Sequence, residues 1–138
     1  MMDEIIIAID PGREKCGIAI VHKEKGILIK SVIQTDELTA KIEKFITEYS
    51  VSLIVIGDGT SSREAKQSLE KIKMNHQGLA IILIDERNST DEARRRYWSE
   101  NPPRGLKRLI PVTMQVPPRP VDDYVALILA ERYFVKIL

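Results

Sequence analysis

The first strongly apolar run of the chain is the feature that most restricts its fold. Residues 5–9 read Ile-Ile-Ile-Ala-Ile and are followed directly by Asp10-Pro11-Gly12. A run that is apolar on both faces and ends in turn residues predicts a strand buried in the centre of a sheet. Two further strand-like stretches, 16–22 and 26–33, flank polar turn residues and predict a hairpin. The chain therefore begins as an antiparallel meander of three strands.

The spacing of apolar residues changes after this hairpin. Residues 38–49 are apolar at the spacing of one helical face, and short apolar runs at 53–56 and 79–84 predict buried strands, each followed by a helix. A strongly apolar stretch at 121–138 predicts a final buried helix. The order β-β-β-α-β-α-β-α-α links strands one, four and five through helices, so these strands should be parallel. We expect an α/β fold whose five-stranded mixed sheet has the order 3-2-1-4-5 and is flanked by helices.

Polar residues mark where the predicted helices begin. Thr35 or Asp36 is expected to cap the first helix. Serine followed three residues later by glutamate is typical of a capping box, and this pattern occurs in 61–64 and in 89–92. The helix that starts in 89–92 is expected to be short and to run through Trp98.

The composition is typical of one compact domain that comprises residues 1–138. Hydrophobic residues make up 43% of the chain and charged residues 30%, with a net charge of +1. No apolar run reaches the ~20 residues that span a bilayer, and residues 1–4 lack the features of a secretion signal. The single Cys16 excludes an internal disulfide framework. We therefore expect a cytoplasmic protein that does not contact a membrane.

Acidic residues follow the predicted parallel strands and begin the last helix. Parallel strands bring their carboxyl ends to one edge of a sheet, where ligands collect at a topological switch point. Carboxylates that converge there repel one another unless a hard cation such as Mg²⁺ lies between them. Each acid alone is equally well explained as a turn or helix-start residue, and only their joint placement favours a metal site. These acids are Asp10, Asp58, Asp85, Glu86, Asp122 and Asp123.

Positive charge is concentrated in one proline-rich segment. Residues 94–119 contain seven basic side chains and one acid, whereas the rest of the chain contains 14 basic and 19 acidic side chains. Six of the seven prolines lie within 102–120, which excludes a regular helix and indicates a long loop. We assign Arg104, Lys107 and Arg108 to the binding of a phosphate backbone. The alternative is a solvated loop whose arginines pair with surface acids.

Two arginines and two aromatic residues are further candidates for contacts with a ligand or with the basic loop. Arg13 follows the first strand and Arg87 follows Glu86, so both are candidates for phosphate binding. Tyr97 and Trp98 are expected to pack under the basic loop, with base stacking as the second interpretation.

Three stretches of the sequence, taken together and in order, resemble one family. They are Ala8–Arg13 with Gly17–Ala19, then Asp85–Thr90 with Glu92 and Ala93, and then Val121–Ala126. In these stretches the chain resembles the YqgF/RuvX family, a branch of the RuvC-like nucleases with a ribonuclease H-like fold. Residues 57–64 also look like the YqgF-like domain of Tex-type RNA-binding transcription proteins.

The resemblance implies a metal-dependent nuclease that acts in pre-16S ribosomal RNA processing or on Holliday junctions. It gives catalytic and metal-binding roles to Asp10, Glu86 and Asp122, with Asp10 bridging two Mg²⁺ or Mn²⁺ ions. The partner would be nucleic acid, either RNA or branched DNA, and the oligomeric state stays open. The alternative function is a nucleic-acid-binding module without turnover, which the Tex-like stretch allows.

Overall fold

A five-stranded sheet with helices on both faces organises residues 4–137, which are the residues that the computed structural model describes. The strands are β1 (Ile5–Asp10), β2 (Lys15–His22), β3 (Gly26–Gln34), β4 (Leu53–Gly57) and β5 (Ala80–Ile84). The helices are α1 (Leu38–Tyr49), α2 (Ser62–Lys73), α3 (Ser89–Glu100) and α4 (Asp122–Lys136). Among residues 4–137, no helix is long and apolar enough to cross a membrane.

The sheet has the order β3-β2-β1-β4-β5, which confirms the predicted fold class. The short turns from β1 to β2 and from β2 to β3 join antiparallel pairs, and β4 lies parallel to β1 and to β5. The parallel pairs need the long helical connections that α1 and α2 provide. As a result β1, β4 and β5 all end at the same edge of the sheet.

Alternating side chains of β1 belong to two separate cores. Ile7 and Ile9 pack with residues of α1 and α2, whereas Ile6 and Ala8 pack with residues of α3 and α4. Residues 123–130 of α4 are all buried, because this helix lies between the sheet and α3. An amphipathic helix would bury only one stripe, so the continuous apolar sequence of α4 is explained by contacts on both sides.

None of the predicted capping hydrogen bonds forms, although Ser61 is the N-cap residue of α2, as predicted. A short 3-10 turn, Thr35–Glu37, precedes α1, and the Thr35 hydroxyl instead donates a hydrogen bond to the Gly12 carbonyl at 2.9 Å. Ser61 has φ −92° and ψ 4° rather than the extended backbone of a capping serine, and its side chain makes no capping hydrogen bond. Asn88, in a left-handed conformation with φ 62°, precedes α3, so Ser89 is already its first helical residue.

The basic segment between α3 and α4 contains no α-helix, as its prolines predict. It is not wholly irregular, because it forms two short 3-10 turns, Gly105–Leu109 and Val112–Met114. The preceding helix α3 continues to Glu100, two residues before the first proline pair and slightly beyond the predicted end at Trp98.

Candidate active site

The three acids that the sequence singles out lie at one edge of the sheet. Asp10 is the last residue of β1, Glu86 lies two residues after the end of β5, and Asp122 is the first residue of α4. The parallel arrangement of β1, β4 and β5 brings the first two acids to this edge. The packing of α4 on β1 and β2 brings Asp122 to it.

A missing side chain on β2 allows α4 to begin beside Asp10. Gly17 is the cross-strand partner of Asp10. A Cβ atom on Gly17 would overlap the carbonyl oxygen of Asp122 and would lie 2.9 Å from the backbone nitrogen of Asp123. Real Cβ atoms do not approach backbone atoms so closely. The first turn of α4 therefore rests directly on the backbone of β2, next to the last residue of β1.

Burial and the negative charges of neighbouring acids raise the pKa values of all three carboxyl groups. Burial, together with the negative charges of Asp122 and Glu86, raises the pKa of Asp10 to about 7. The pKa of Asp122 is raised by burial and by Asp123, although Lys15 opposes the shift. The pKa of Glu86 is raised by burial, then by Asp58 and Asp85. The site therefore concentrates negative charge that is costly to keep ionised without a counter-charge.

Two neighbouring acids hold the turn that carries Glu86. The Asp58 carboxylate accepts a hydrogen bond from the Glu86 backbone nitrogen at 3.1 Å. The Asp85 carboxylate accepts one from the Arg87 backbone nitrogen at 2.9 Å. Glu86 itself extends over Gly59, where a Cβ atom would overlap one of its carboxylate oxygens. Asp58 and Asp85 thus shape the backbone around Glu86, which explains their presence after β4 and β5.

Arg132 of α4 joins the Glu86 turn to two helices. Its guanidinium donates hydrogen bonds to the Asp85 carbonyl oxygen and to the Glu92 carboxylate of α3, each at 2.8 Å. Arg132 lies outside the motifs that predict the site. The visible signal was a charged pair, Glu131-Arg132, inside an otherwise apolar helix.

Asp123, unlike its neighbour Asp122, is buried and ion-paired. It is 4% exposed and forms ion pairs with Lys30 of β3 at 3.0 Å and with Arg119 at 3.1 Å. Its own helix adds a hydrogen bond from the Tyr124 backbone nitrogen. Burial would raise the pKa of Asp123, but the hydrogen bonds from Arg119 and Lys30 lower it overall. Both of its oxygens are occupied, so Asp123 anchors the end of the basic segment to the sheet.

The donor atoms of Asp10, Glu86 and Asp122 suit a hard divalent cation. Within residues 4–137, no hydrogen bond or ion pair reaches these three carboxylates, in contrast to those of Asp58, Asp85 and Asp123. Mg²⁺ prefers carboxylate oxygens and keeps several waters, so it does not need a closed cage of protein ligands. The same part of the chain contains no group of three His, Cys, Asp or Glu side chains arranged to chelate one ion.

The predicted phosphate-binding residues carry cations that are not neutralised. The side chains of Arg13, Arg87, Arg104, Lys107 and Arg108 are exposed, and none lies within 4 Å of a carboxylate among residues 4–137. Arg13 follows β1 and Arg87 follows Glu86, so both lie near the acidic edge. The other three belong to the basic segment, which reaches that edge only at its Arg119 end.

Two other arginines of the basic stretch are paired, as the alternative interpretation expects. Arg96 forms a bidentate contact with Glu131 of α4, with distances of 2.6 Å and 2.9 Å, and Arg119 pairs with Asp123. These pairs hold α3 and the segment against α4. Residues 94–119 therefore contain two kinds of cation: arginines that pair with acids of the fold, and side chains that remain available to a ligand.

A family model and solved structures agree with this architecture. Residues 4–110 match the model of a family described as RuvX, Holliday junction resolvase. That range includes Asp10 and Glu86 and ends before Asp122. RuvC of T. thermophilus, solved in complex with a Holliday junction substrate, has a TM-score of 0.64 and 14% identity, and the alignment covers 96% of each chain. The fowlpox virus Holliday junction resolvase has a TM-score of 0.61 and 13% identity over 97% of this chain and 99% of the viral one.

Curated relatives match a shorter part of the chain. The uncharacterized protein YdcI of Bacillus subtilis is 29% identical over 80 residues, which are 52% of this chain and 11% of YdcI. The uncharacterized protein NMA0194 of Neisseria meningitidis is 30% identical over 86 residues, which are 58% of this chain and 11% of that protein. This chain thus spans about a tenth of the length of these relatives. The match of the family model over residues 4–110, together with the RuvC-like fold, shows that the chain belongs to the RuvX family.

Proposed function

We propose that the chain is a metal-dependent nuclease that hydrolyses phosphodiester bonds of nucleic acid, with Asp10, Glu86 and Asp122 as its catalytic residues. One observation carries this proposal. Three carboxylates that have no hydrogen-bond or ion-pair partner among residues 4–137 lie at the edge where β1, β4 and β5 end, and burial with the negative charges of Asp122 and Glu86 raises the pKa of Asp10 to about 7. A fold gains nothing from such an arrangement unless a cation and its ligand neutralise it.

Each acid has a distinct part in the proposed mechanism. Asp10, Glu86 and Asp122 would hold Mg²⁺ or Mn²⁺, and two such ions supply an activated water and stabilise the leaving oxygen. Asp10 gives up its proton when the site is loaded, because a protonated carboxyl group is a poor ligand. Asp58 and Arg132 keep the Glu86 turn in place, and Asp123 keeps the first turn of α4 in place.

Cationic side chains beside the acids orient the strand. Arg13 and Arg87 are placed to contact phosphates next to the scissile bond, and Arg104, Lys107 and Arg108 to contact phosphates further along. Arginine suits this role because its planar guanidinium forms two hydrogen bonds to one phosphate. The substrate we propose is a four-way DNA junction, by analogy with the complexed RuvC structure, or an end of pre-16S ribosomal RNA.

A second candidate function is nucleic-acid binding without turnover. It is favoured by the observation that the acids of residues 4–137 are not gathered into a three-ligand group. Electrostatic repulsion favours the nuclease instead, because three unpaired carboxylates weaken a surface that only binds phosphates.

One assay separates the two functions. The full chain is incubated with Mg²⁺ or Mn²⁺ and a labelled four-way junction, a single-stranded RNA or a precursor ribosomal RNA end, in parallel with Asp10→Asn and with Asp91→Asn. Asp91 is an exposed acid of α3 and serves as the matched control. Cleavage by wild type and Asp91→Asn, but not by Asp10→Asn, supports the nuclease.

Metal binding is tested without substrate. The ion should raise the melting temperature of wild type by mass action and raise that of Asp10→Asn much less. Equal shifts in both proteins at saturating metal would place the ion elsewhere, and binding of substrate without cleavage in any metal would favour the binding module.

A further inference from the structure

A cavity of about 510 Å³ lies between the end of α3 and the basic segment. Its size is within the range of sites that bind small organic groups. Trp98, which contributes to its wall, lies nine residues after the start of α3, so roughly 14 Å of helix separates the cavity from the Glu86 turn. On its other side the cavity approaches the first turn of α4, because Glu100, which lines it, accepts a hydrogen bond from the Tyr124 hydroxyl at 3.2 Å. The cavity therefore lies apart from Glu86 but near the start of the helix that carries Asp122.

The walls of the cavity combine aromatic rings and prolines with polar side chains. Tyr97 and Trp98 pack edge to face, with ring centroids 5.2 Å apart, and prolines of the segment line the opposite side. The indole Nε1 of Trp98 is buried without a hydrogen-bond partner, so the fold accepts an unsatisfied donor to keep this ring at the wall. Aromatic and proline surfaces of this kind receive planar rings, because any nucleobase can stack on them.

Two carboxamides present acceptors at the same cavity. Asn101 uses its Nδ2 group to donate to the Tyr97 carbonyl at 3.1 Å, and Gln115 uses its Nε2 group to donate to the Lys107 and Ile110 carbonyls, each at 2.9 Å. Both side chains line the cavity, and in the described part of the chain neither side-chain oxygen accepts a hydrogen bond. These oxygens can accept hydrogen bonds from the N–H groups of a base.

Unpaired cations complete the lining. Arg104 and Lys107 both line the cavity, and no carboxylate of residues 4–137 lies within 4 Å of either cation. Glu100, the one acid at the cavity, is engaged with Arg96 at 3.9 Å and with the Tyr124 hydroxyl at 3.2 Å. The charges that remain for a ligand are positive, and phosphate is the group that complements them.

We propose that this cavity binds one unpaired nucleotide of a nucleic-acid strand, with its base against Trp98 and its phosphate at Arg104 and Lys107. The inference rests on the proposed function only in taking the ligand to be a nucleic-acid strand. It adds a preference for substrates that offer an unpaired nucleotide beside the cleaved bond. A duplex offers no free base to the cavity and should bind there more weakly.

The binding test uses Trp98 as its own probe, since it is the only tryptophan of the chain. The full chain, without divalent metal, is titrated with oligothymidylate or oligouridylate of about 12 nucleotides, with a blunt duplex and with a free mononucleotide. Single strands should quench the Trp98 fluorescence saturably, whereas the duplex and the mononucleotide should need at least about tenfold higher concentrations.

Two matched pairs of variants locate the binding site. Arg104→Ala with Lys107→Ala should raise the midpoint about tenfold, whereas Arg94→Ala with Arg95→Ala, which removes two exposed and unpaired cations of α3, should change it little. Val116→Phe, at an exposed residue of the cavity rim, should block quenching without lowering the melting temperature, and Val116→Ala should preserve it.

The outcomes distinguish this inference from the proposed function. Absence of quenching by single strands, while a labelled four-way junction still binds, overturns the nucleotide site and leaves the nuclease intact. Equal midpoints for the two double variants, or equal quenching by a free mononucleotide, also overturn it. Quenching that persists in a protein that cleaves nothing overturns the nuclease and supports the site.

Discussion

The carbonyl oxygen of Asp122 occupies the place that a Cβ atom on Gly17 would take. Gly17 is also the cross-strand partner of Asp10, so one backbone contact lies between two of the proposed catalytic acids. The separation of Asp10 and Asp122 is therefore set by backbone packing and not by flexible side chains. A helix that begins on a glycine of the neighbouring strand can bring its first carboxylate closer than a helix packed on side chains.

Gly17→Ala tests this contact. The added methyl group must displace the first turn of α4, and overpacking of this kind typically costs 1–3 kcal/mol, so we expect about 2 kcal/mol lower stability in urea unfolding. Cleavage should fall further than that loss explains, because Asp122 moves relative to Asp10. Ile18→Val, on the opposite face of β2, is the control, since it costs about 1 kcal/mol without touching α4. Unchanged cleavage by Gly17→Ala would show that the contact does not position Asp122.

Neutral replacements of the three acids should separate activity from stability. Asp10→Asn, Glu86→Gln and Asp122→Asn each remove a metal ligand, and we expect each to reduce cleavage by more than about 100-fold. Each also removes a repelling charge, so the melting temperature of the metal-free protein should not fall. Cleavage rates and melting curves of the same preparations check both expectations, and full activity in Asp10→Asn would refute the catalytic assignment.

The pKa of Asp10 predicts how stability depends on pH in the absence of metal. The group has a pKa of about 7 in the folded chain and about 3.9 in an unfolded chain, so the folded state holds its proton more tightly. Its contribution is fully present below pH 3.9 and is lost as the pH rises towards 7, by an amount on the order of 4 kcal/mol. Between pH 4 and 7 the unfolding free energy of wild type should therefore fall relative to that of Asp10→Asn. A constant difference across that range would contradict the burial of a protonated Asp10.

Much of the sheet follows from local features of the sequence. The apolar run at 5–9, its hairpin and the later alternation of strand and helix leave few topologies, because connection rules fix which strands are parallel. The same rules predict that Asp10 and Glu86 lie at one edge. The same rules also predict that Asp58 and Asp85 lie at this edge. Only the structure shows that their carboxylate oxygens accept hydrogen bonds from backbone nitrogens.

Other features depend on partners distant in sequence. The ion pair between Lys30 and Asp123 joins residues 93 positions apart, and no local pattern indicates that Asp123 is anchored while Asp122 is free. The position of Lys30 does indicate a buried partner of opposite charge, because Lys30 shares a face of β3 with Val32 and would place a charge towards the core. The capping hydrogen bonds of the helices are absent for a related reason. Tertiary contacts determine the backbone conformation of the loop before each helix. That conformation decides whether a serine side chain can reach the first backbone nitrogens of the helix.

Asp123→Ala should be strongly destabilising. The change leaves Lys30, which lies over the Tyr124 ring at 3.8 Å, and Arg119 without their carboxylate. Removing one partner of a buried ion pair typically costs 3–5 kcal/mol, and the partial exposure of Arg119 reduces this to about 2–3 kcal/mol. Urea unfolding checks the value, with Asp91→Ala as a control for loss of an exposed acid. A loss below about 0.5 kcal/mol would mean that the pairs do not anchor the segment.

The last prediction concerns the unpaired cations of the basic segment, Arg104, Lys107 and Arg108. If each neutralises one phosphate, replacing all three with alanine weakens binding at low salt and lowers the slope of log affinity against log salt by about 2 for single strands and somewhat more for duplexes. Stability should change little, because these side chains are exposed and carry no ion pair. Arg63, Lys71 and Lys73 of α2 provide a triple-alanine control with the same loss of charge on the opposite face of the sheet. An equal slope change in both triple variants would show that net charge alone governs binding. If the slope of log affinity against log salt is unchanged in the segment variant, the phosphates are bound by Arg13 and Arg87, beside the acids, and not by the segment.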